Sequence, residues 1–360
     1  MTNGLKRSDR LKSEYAQLII PLIAIVLLIL FNLIRDASFF SIKTVVNNVG
    51  NTVLSGNIIS ILSGASKLAI VAIGMTLVTA ATGGQDISVG ATGAIAGSVF
   101  MRVLSSGDSV TVGTIVLAFF ACCVVSMLFG AFNGTLIAIF KIQPMIATLI
   151  LFTAGRSIAY WINGGASPTI SSPLVDAIGS FIPGVPIPTP IFIVAICGIL
   201  FALLFKFTNI GLYTQAVGIN ERASRLNGIN TTGIKLLTLV ILGVCVAIAA
   251  CISVSSLGLI NHETIMIEIE MDAILAVAIG GNALSGGKFK MSGSILGAYA
   301  IEALSTTLYA MKVHSTAIKA YKAVVIILIV VIGSPIVKNM ASQLWARFVS
   351  TKVPEMTEGK

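Results

Sequence analysis

The chain has 360 residues, 56% of them hydrophobic and only 10% charged, with mean hydropathy +0.99, whereas soluble domains carry about 25% charged residues. This balance excludes a water-soluble globular protein and points to an integral membrane chain. The net charge of +9 does not indicate a nucleic-acid partner, because no basic stretch has interleaved aromatics; cations gathered on the cytoplasmic side of a membrane account for it.

Residues 1–16 are polar and basic, and no small-residue cleavage pattern follows the next apolar run, so 17–34 reads as a retained first span behind a cytoplasmic tail. Further apolar runs long enough for a ~30 Å hydrocarbon core fall at 62–82, 87–104, 110–139, 143–162, 189–208, 233–260, 266–281, 291–311 and 317–337. The expected architecture is an all-α polytopic bundle of about ten spans in one domain covering 1–360. Residues 45–61, a mixture of Asn, Ser and Gly with apolar residues, suit a re-entrant or surface helix. Most Lys and Arg outside the spans fall on the side of the amino terminus, which predicts both termini, including a tail at 338–360, to be cytoplasmic. Residues 163–188 contain no Lys or Arg and several prolines, and are expected as an external, irregular loop. The five cysteines, without C-x-x-C spacing, read as packing residues.

Two short stretches repeat. "ATGGQDISVG" at 81–90 and "AIGGNALSGG" at 278–287 align without a gap, pairing Gly83 and Gly84 with Gly280 and Gly281, Gln85 with Asn282, and Ser88 with Ser285. Each interrupts an apolar segment. Broken helices of this kind border substrate paths in transporters built from duplicated halves, which nominates Gln85, Asp86, Ser88, Asn282 and Ser285 as path residues. Asp86 and Ser88 have a second reading, as caps of the following helix. Glycines four apart, Gly93 with Gly97, Gly130 with Gly134 and Gly293 with Gly297, predict close helix approach.

Between the sixth and seventh spans lies a polar segment at 211–232. Its core from Gly218 to Gly228, with Asn220, Glu221, Arg222, Ala223 and Arg225, reads as a short docking helix on the cytoplasmic face. "GINERASRLNGI" resembles the cytoplasmic loop motif in permeases of bacterial ATP-binding-cassette sugar importers of the ribose, xylose and galactofuranose type. The blocks at 74–97, 147–165 and 278–298 are similar to that family's other signatures, in the same order. Gln85 departs from a commonly apolar position, and Ser224 replaces an alanine. The resemblance implies a membrane subunit that pairs with a second copy or a paralogue, receives sugar from an extracytoplasmic binding protein and is driven by a separate cytoplasmic ATPase. ATP and magnesium would then reside on that partner, in keeping with "GNALSGGKF" at 281–289, which lacks the first glycine and the hydroxyl of a phosphate loop.

Arg156 and Glu302, both inside spans, could contact solute, lock helices or pair with each other, while Glu268, Glu270 and Asp272 read as an outer rim. No catalytic or metal-ligating set is expected. Two rival readings remain: an ion-coupled secondary transporter using Asp86 or Glu302, and an ATP-driven permease for autoinducer 2 or branched-chain amino acids.

Overall fold

The structure, a computed structural model, describes residues 18–46, 52–107 and 109–333; the tails expected at 1–16 and 338–360 lie outside them. Each of the ten expected spans corresponds to one helix. The first is α1, Ile19–Arg35, apolar around its circumference and mostly exposed, as suits a lipid-facing helix. Its one buried amide, Asn32, donates to Thr307 Oγ1 at 2.8 Å, a polar tie of the kind that holds helices together in lipid.

The described part of the 45–61 stretch is strand at 45–46 and 52–55 and the start of a long helix from 57, instead of a separate re-entrant or surface helix. Lys43–Val46 (β1) and Thr52–Ser55 (β2) pair antiparallel, with Thr44 opposite Leu54 and Val45 opposite Val53. These residues are largely β-branched, which favours a pleated strand over a helix. Gly56, at φ 145°, turns the chain into α2, Asn57–Thr82. The hairpin is pinned to a distant loop where the Leu54 amide donates to the Pro186 carbonyl at 3.0 Å.

Helix α2 and the helix Thr231–Leu257 form the buried centre. Around them stand α3 (Val89–Leu104), α4 (Val112–Ala138), α5 (Pro144–Ile162) and α7 (Thr189–Phe207), with the short α6 (Pro173–Gly179) in the preceding proline-rich loop. Two helices, α8 (Ile210–Ile219) and α9 (Glu221–Leu226), lead into the central Thr231–Leu257, here α10. The chain closes with α11 (Ile269–Ile279), α12 (Met291–Ala310) and α13 (Ser315–Gly333). Among the described residues five helices, α2, α4, α5, α7 and α10, are long and apolar enough to cross a membrane by themselves.

One expected span is cut short. Helix α11 has 11 residues, a rise of about 16 Å, about half of a ~30 Å core. The residues before it form turns, held by a Thr264 amide bond to Asn261 and by left-handed Met266 and Glu268. Apolarity continues through these turns, so hydropathy alone extends the span.

Lipid supplies no hydrophobic drive for helices to associate, so packing depends on close backbone approach. In the most extensive pairing, α4 with α10, Gly130 faces the Leu239 carbonyl and Gly243 the Ser126 carbonyl at distances that admit no side chain. Gly293 meets Gly280 and Gly297 meets Ala276 in the same way between α12 and α11. Cys122 and Cys251 fill the α4–α10 contact as free, buried thiols. Gly243→Leu is expected to cost at least about 1–3 kcal/mol by overpacking and to lower the melting temperature in detergent. Gly198→Leu, at a position with no neighbour within 4 Å of an added Cβ, serves as the control and should melt like the wild type.

Candidate functional site

The two repeated turns meet. Helix α2 stops at Gly83, which takes the left-handed conformation at φ 67°, a common helix terminator. The chain then turns through 84–88 into α3. The second turn, 280–290, joins α11 to α12 at the same end of the bundle. The Gln85 side-chain amide donates to the Leu284 carbonyl at 3.0 Å, and the Gly287 amide donates to the Ala80 carbonyl at 2.9 Å. Gly218 of α8 packs between them: a methyl group there would overlap the Ala80 carbonyl oxygen and press on the Gly287 amide. Both turns and the helix before the docking segment therefore share one backbone contact.

Asp86 and Ser88 are buried beneath this contact. The Asp86 carboxylate accepts from the Ser88 amide at 2.8 Å and the Ser88 hydroxyl at 2.6 Å. Asn133 of α4 donates to Asp86 Oδ2 at 3.1 Å and to Ser88 Oγ at 2.9 Å. The turn is thus cross-linked to α4 by a residue that the sequence reading passed over, an Asn in a long apolar run. Asn282 uses both ends of its amide within its own turn, donating to the Lys290 carbonyl at 3.1 Å and accepting from the Lys290 amide at 2.6 Å. It also donates to Ser294 Oγ at 2.8 Å, and Ser294 bonds Thr76 of α2 at 2.6 Å. Gln85, Asp86, Ser88 and Asn282 are therefore drawn together in a closed, hydrogen-bonded layer, while Ser285 stays exposed at its edge.

The docking segment is two helices, not one helix from 218. Asn220 is extended, and its side chain accepts from the Ala223 amide at 2.9 Å, so α9 begins at Glu221 and Gly218 belongs to α8. Gly228 closes α9 in the left-handed conformation at φ 81°, with the Ile229 amide bonded to the Ser224 carbonyl at 3.1 Å. Glu221 gathers three cations: Lys235 of α10 at 2.6 Å, Arg225 at 3.0 Å and Lys141 of the α4–α5 turn at 3.1 Å. The bond from Lys235, followed by that from Lys141, holds its carboxyl at about 2, well below the usual carboxylate range. On the other side of α9, Arg222 and Leu226 stand in the open, Leu226 with 85% of its surface exposed. Leu226 is a further residue the sequence reading did not single out.

Arg156 sits at the opposite end of the bundle. Its Nη1 donates to the carbonyls of His262, Glu263 and Ile265 at 2.8, 3.0 and 3.1 Å, which fixes the turns before α11. It is not paired with Glu302. Its acidic neighbour is Glu270, which is buried beside Gly90. The acidic rim is likewise dispersed: Glu268 meets Lys319 at 2.6 Å in an exposed pair, and Asp272 meets Lys322 at 2.8 Å in a partly buried one. Glu302 instead faces a cavity of about 300 Å³ together with Lys67 and Asp272.

Apolar helices of spanning length and paired broken helices define a multi-pass membrane permease. The chain belongs to the family described as branched-chain amino acid transport system / permease component, which it matches over residues 57–333. It is 40% identical over 291 residues to the galactofuranose transporter permease protein YtfT of Escherichia coli (strain K12), covering 78% of this chain and 80% of that protein. It is 35% identical over 328 residues to the fructose import permease protein FruF of Bifidobacterium longum (strain NCC 2705), covering 90% and 89%. To the ribose import permease protein RbsC of Escherichia coli (strain K12) it is 34% identical over 281 residues, covering 77% and 85%. No solved structure matches it.

Because the Glu221 carboxyl is depressed in the folded chain, its contribution to local stability is complete above about pH 4.5 and declines as pH falls toward about 2. Hydrogen exchange of residues 220–230 should quicken across that window in the wild type. Glu221→Gln should exchange faster at neutral pH and show no such dependence; equal protection in both would show that the cations do not hold α9.

Proposed function

We propose that the chain is the permease subunit of an ATP-binding-cassette importer in a bacterial cytoplasmic membrane, passing one monosaccharide delivered by an extracytoplasmic binding protein. A separate cytoplasmic ATPase carries ATP and magnesium, and a second copy or a paralogue completes the translocation unit within the lipid. In this reading the 210–226 end and both termini face the cytoplasm. The observation that carries it is the build of α9: Arg222 and Leu226 point outward while Glu221 braces the helix from behind against Lys141, Arg225 and Lys235. An apolar residue left this exposed beside a cation suits burial in a partner's cleft. The names of its relatives, which include permeases for galactofuranose, fructose and ribose, favour a sugar as cargo.

The same contacts supply a route for the push. Force on α9 passes through α8 to Gly218, which bears on the Ala80–Gly287 bond joining the two turns. Parting that bond opens the hydrogen-bonded layer, so that Gln85, Asp86, Ser88, Asn282 and Ser285 border the inner end of the path. A braced, short helix transmits displacement as a rigid body. Arg156 keeps the outer turns in place while the inner end moves.

The double variant Arg222→Glu, Leu226→Glu should retain about tenfold less ATPase on affinity purification in mild detergent and lose sugar uptake, with membrane insertion and size-exclusion profile unchanged. Undiminished co-purification and uptake would remove α9 as the docking element. Uphill sugar accumulation by the purified chain alone, driven by a proton gradient, would refute the ATP-driven reading.

A further inference from the structure

The cavity of about 300 Å³ lies toward the end opposite α9, enclosed by α2, α10, α11, α12 and the turns that Arg156 holds. Lys67 enters it from α2 and Glu302 from α12, joined by Ser253 and Ser256 of α10 and by Asp272. Asp272 is engaged with Lys322 at 2.8 Å. Lys67 and Glu302 attract each other, and Lys322 also attracts Glu302, but neither Lys67 nor Glu302 closes a hydrogen bond or an ion pair with a described residue. Both belong to long helices of the bundle, where a charge without a closed hydrogen bond is costly unless it faces water or a ligand. A second cavity, of about 380 Å³, opens beside the β1–β2 hairpin and is lined by Ser60, Ser63 and Pro188. Gly64 lines both cavities, and the Glu302 carboxylate rests against it where any side chain would collide.

We propose that Lys67 and Glu302 form a solute-binding waypoint in the outer half of the path, taking one neutral polyhydroxylated molecule that enters past Gly64. The inference rests on the importer reading above and names the chemistry of its cargo site. The carboxylate accepts from two hydroxyls and the ammonium donates to hydroxyl or ring oxygens, so the pair reads a polyol from both sides. One anion and one cation beside a neutralised Asp272–Lys322 pair leave the chamber without net formal charge, which disfavours acidic and basic solutes alike. Its volume is at the lower end for small-molecule sites, and the aliphatic Leu68 and Ile269 in its wall offer a surface for the C–H face of a sugar ring.

The test uses the full chain in lipid nanodiscs. Ser256→Cys puts an exposed thiol on the cavity wall without touching either charge, and its labelling by a polar maleimide is followed with D-ribose, D-fructose or D-galactose, and with glucuronate and glucosamine as charged controls. At least one neutral sugar should slow labelling about threefold or more at saturation, and the charged sugars should not. Adding Glu302→Gln or Lys67→Met should weaken that protection about tenfold, the scale of one lost charged hydrogen bond, while size-exclusion behaviour stays that of the parent. Protection by none of the neutral sugars, equal protection by the charged ones, or protection unchanged in both charge variants would each overturn the waypoint. Co-purification of the ATPase is scored in parallel. If the ATPase is absent, the importer reading falls whatever the labelling shows; if it is present and no neutral sugar protects, only the waypoint falls.

Discussion

The bond between the Gly287 amide and the Ala80 carbonyl, with Gly218 seated against it, is the contact on which the arrangement of this end of the molecule depends. Each of the two turns leaves backbone groups that the adjoining helices do not satisfy, and at membrane depth such groups need protein partners. They find them in each other. At Gly218 a side chain would keep α8 from reaching that backbone bond directly. No long relay separates α8 from the two turns: one glycine touches both broken helices.

Beyond this contact the polar residues serve two different ends. Asp86, Ser88 and Asn133 bond to one another, and Asn282, Ser294 and Thr76 form a second linked set that also takes up the Lys290 backbone. Lys67 and Glu302 face open volume instead. Polar side chains inside a membrane bundle are expensive, so a division into a bonded set and an unbonded set separates structural ties from charges that face open volume. Arg156 belongs with the ties, because its guanidinium is spent on three carbonyls of the turns that wall the cavity.

Much of the architecture was legible in composition. Apolar runs and their interruptions located every described helix that corresponds to an expected span, because lipid demands length and apolarity of a spanning segment. Hydropathy failed at α11, where turns are as apolar as helix, and at the hairpin, where a β-branched stretch pairs with residues an apolarity profile does not associate with it. The repeat was visible because turn chemistry depends on glycine and small polar residues wherever it occurs. Its consequence, that the two copies touch, was not, since nothing local says that residue 85 meets residue 284.

By itself, then, the sequence determined that this is a multi-pass helical membrane protein, where its helices break, and which polar segment stands exposed between the apolar helices; these follow from local propensity and from the solvent the chain is written for. Only the tertiary structure decided the partners of its charges. It turned Arg156 toward backbone carbonyls instead of Glu302, gathered Lys141, Arg225 and Lys235 on Glu221, and left Lys67 and Glu302 facing a cavity. Electrostatic pairing is set by distances across the bundle, and those distances exist only once helices far apart in the chain have packed.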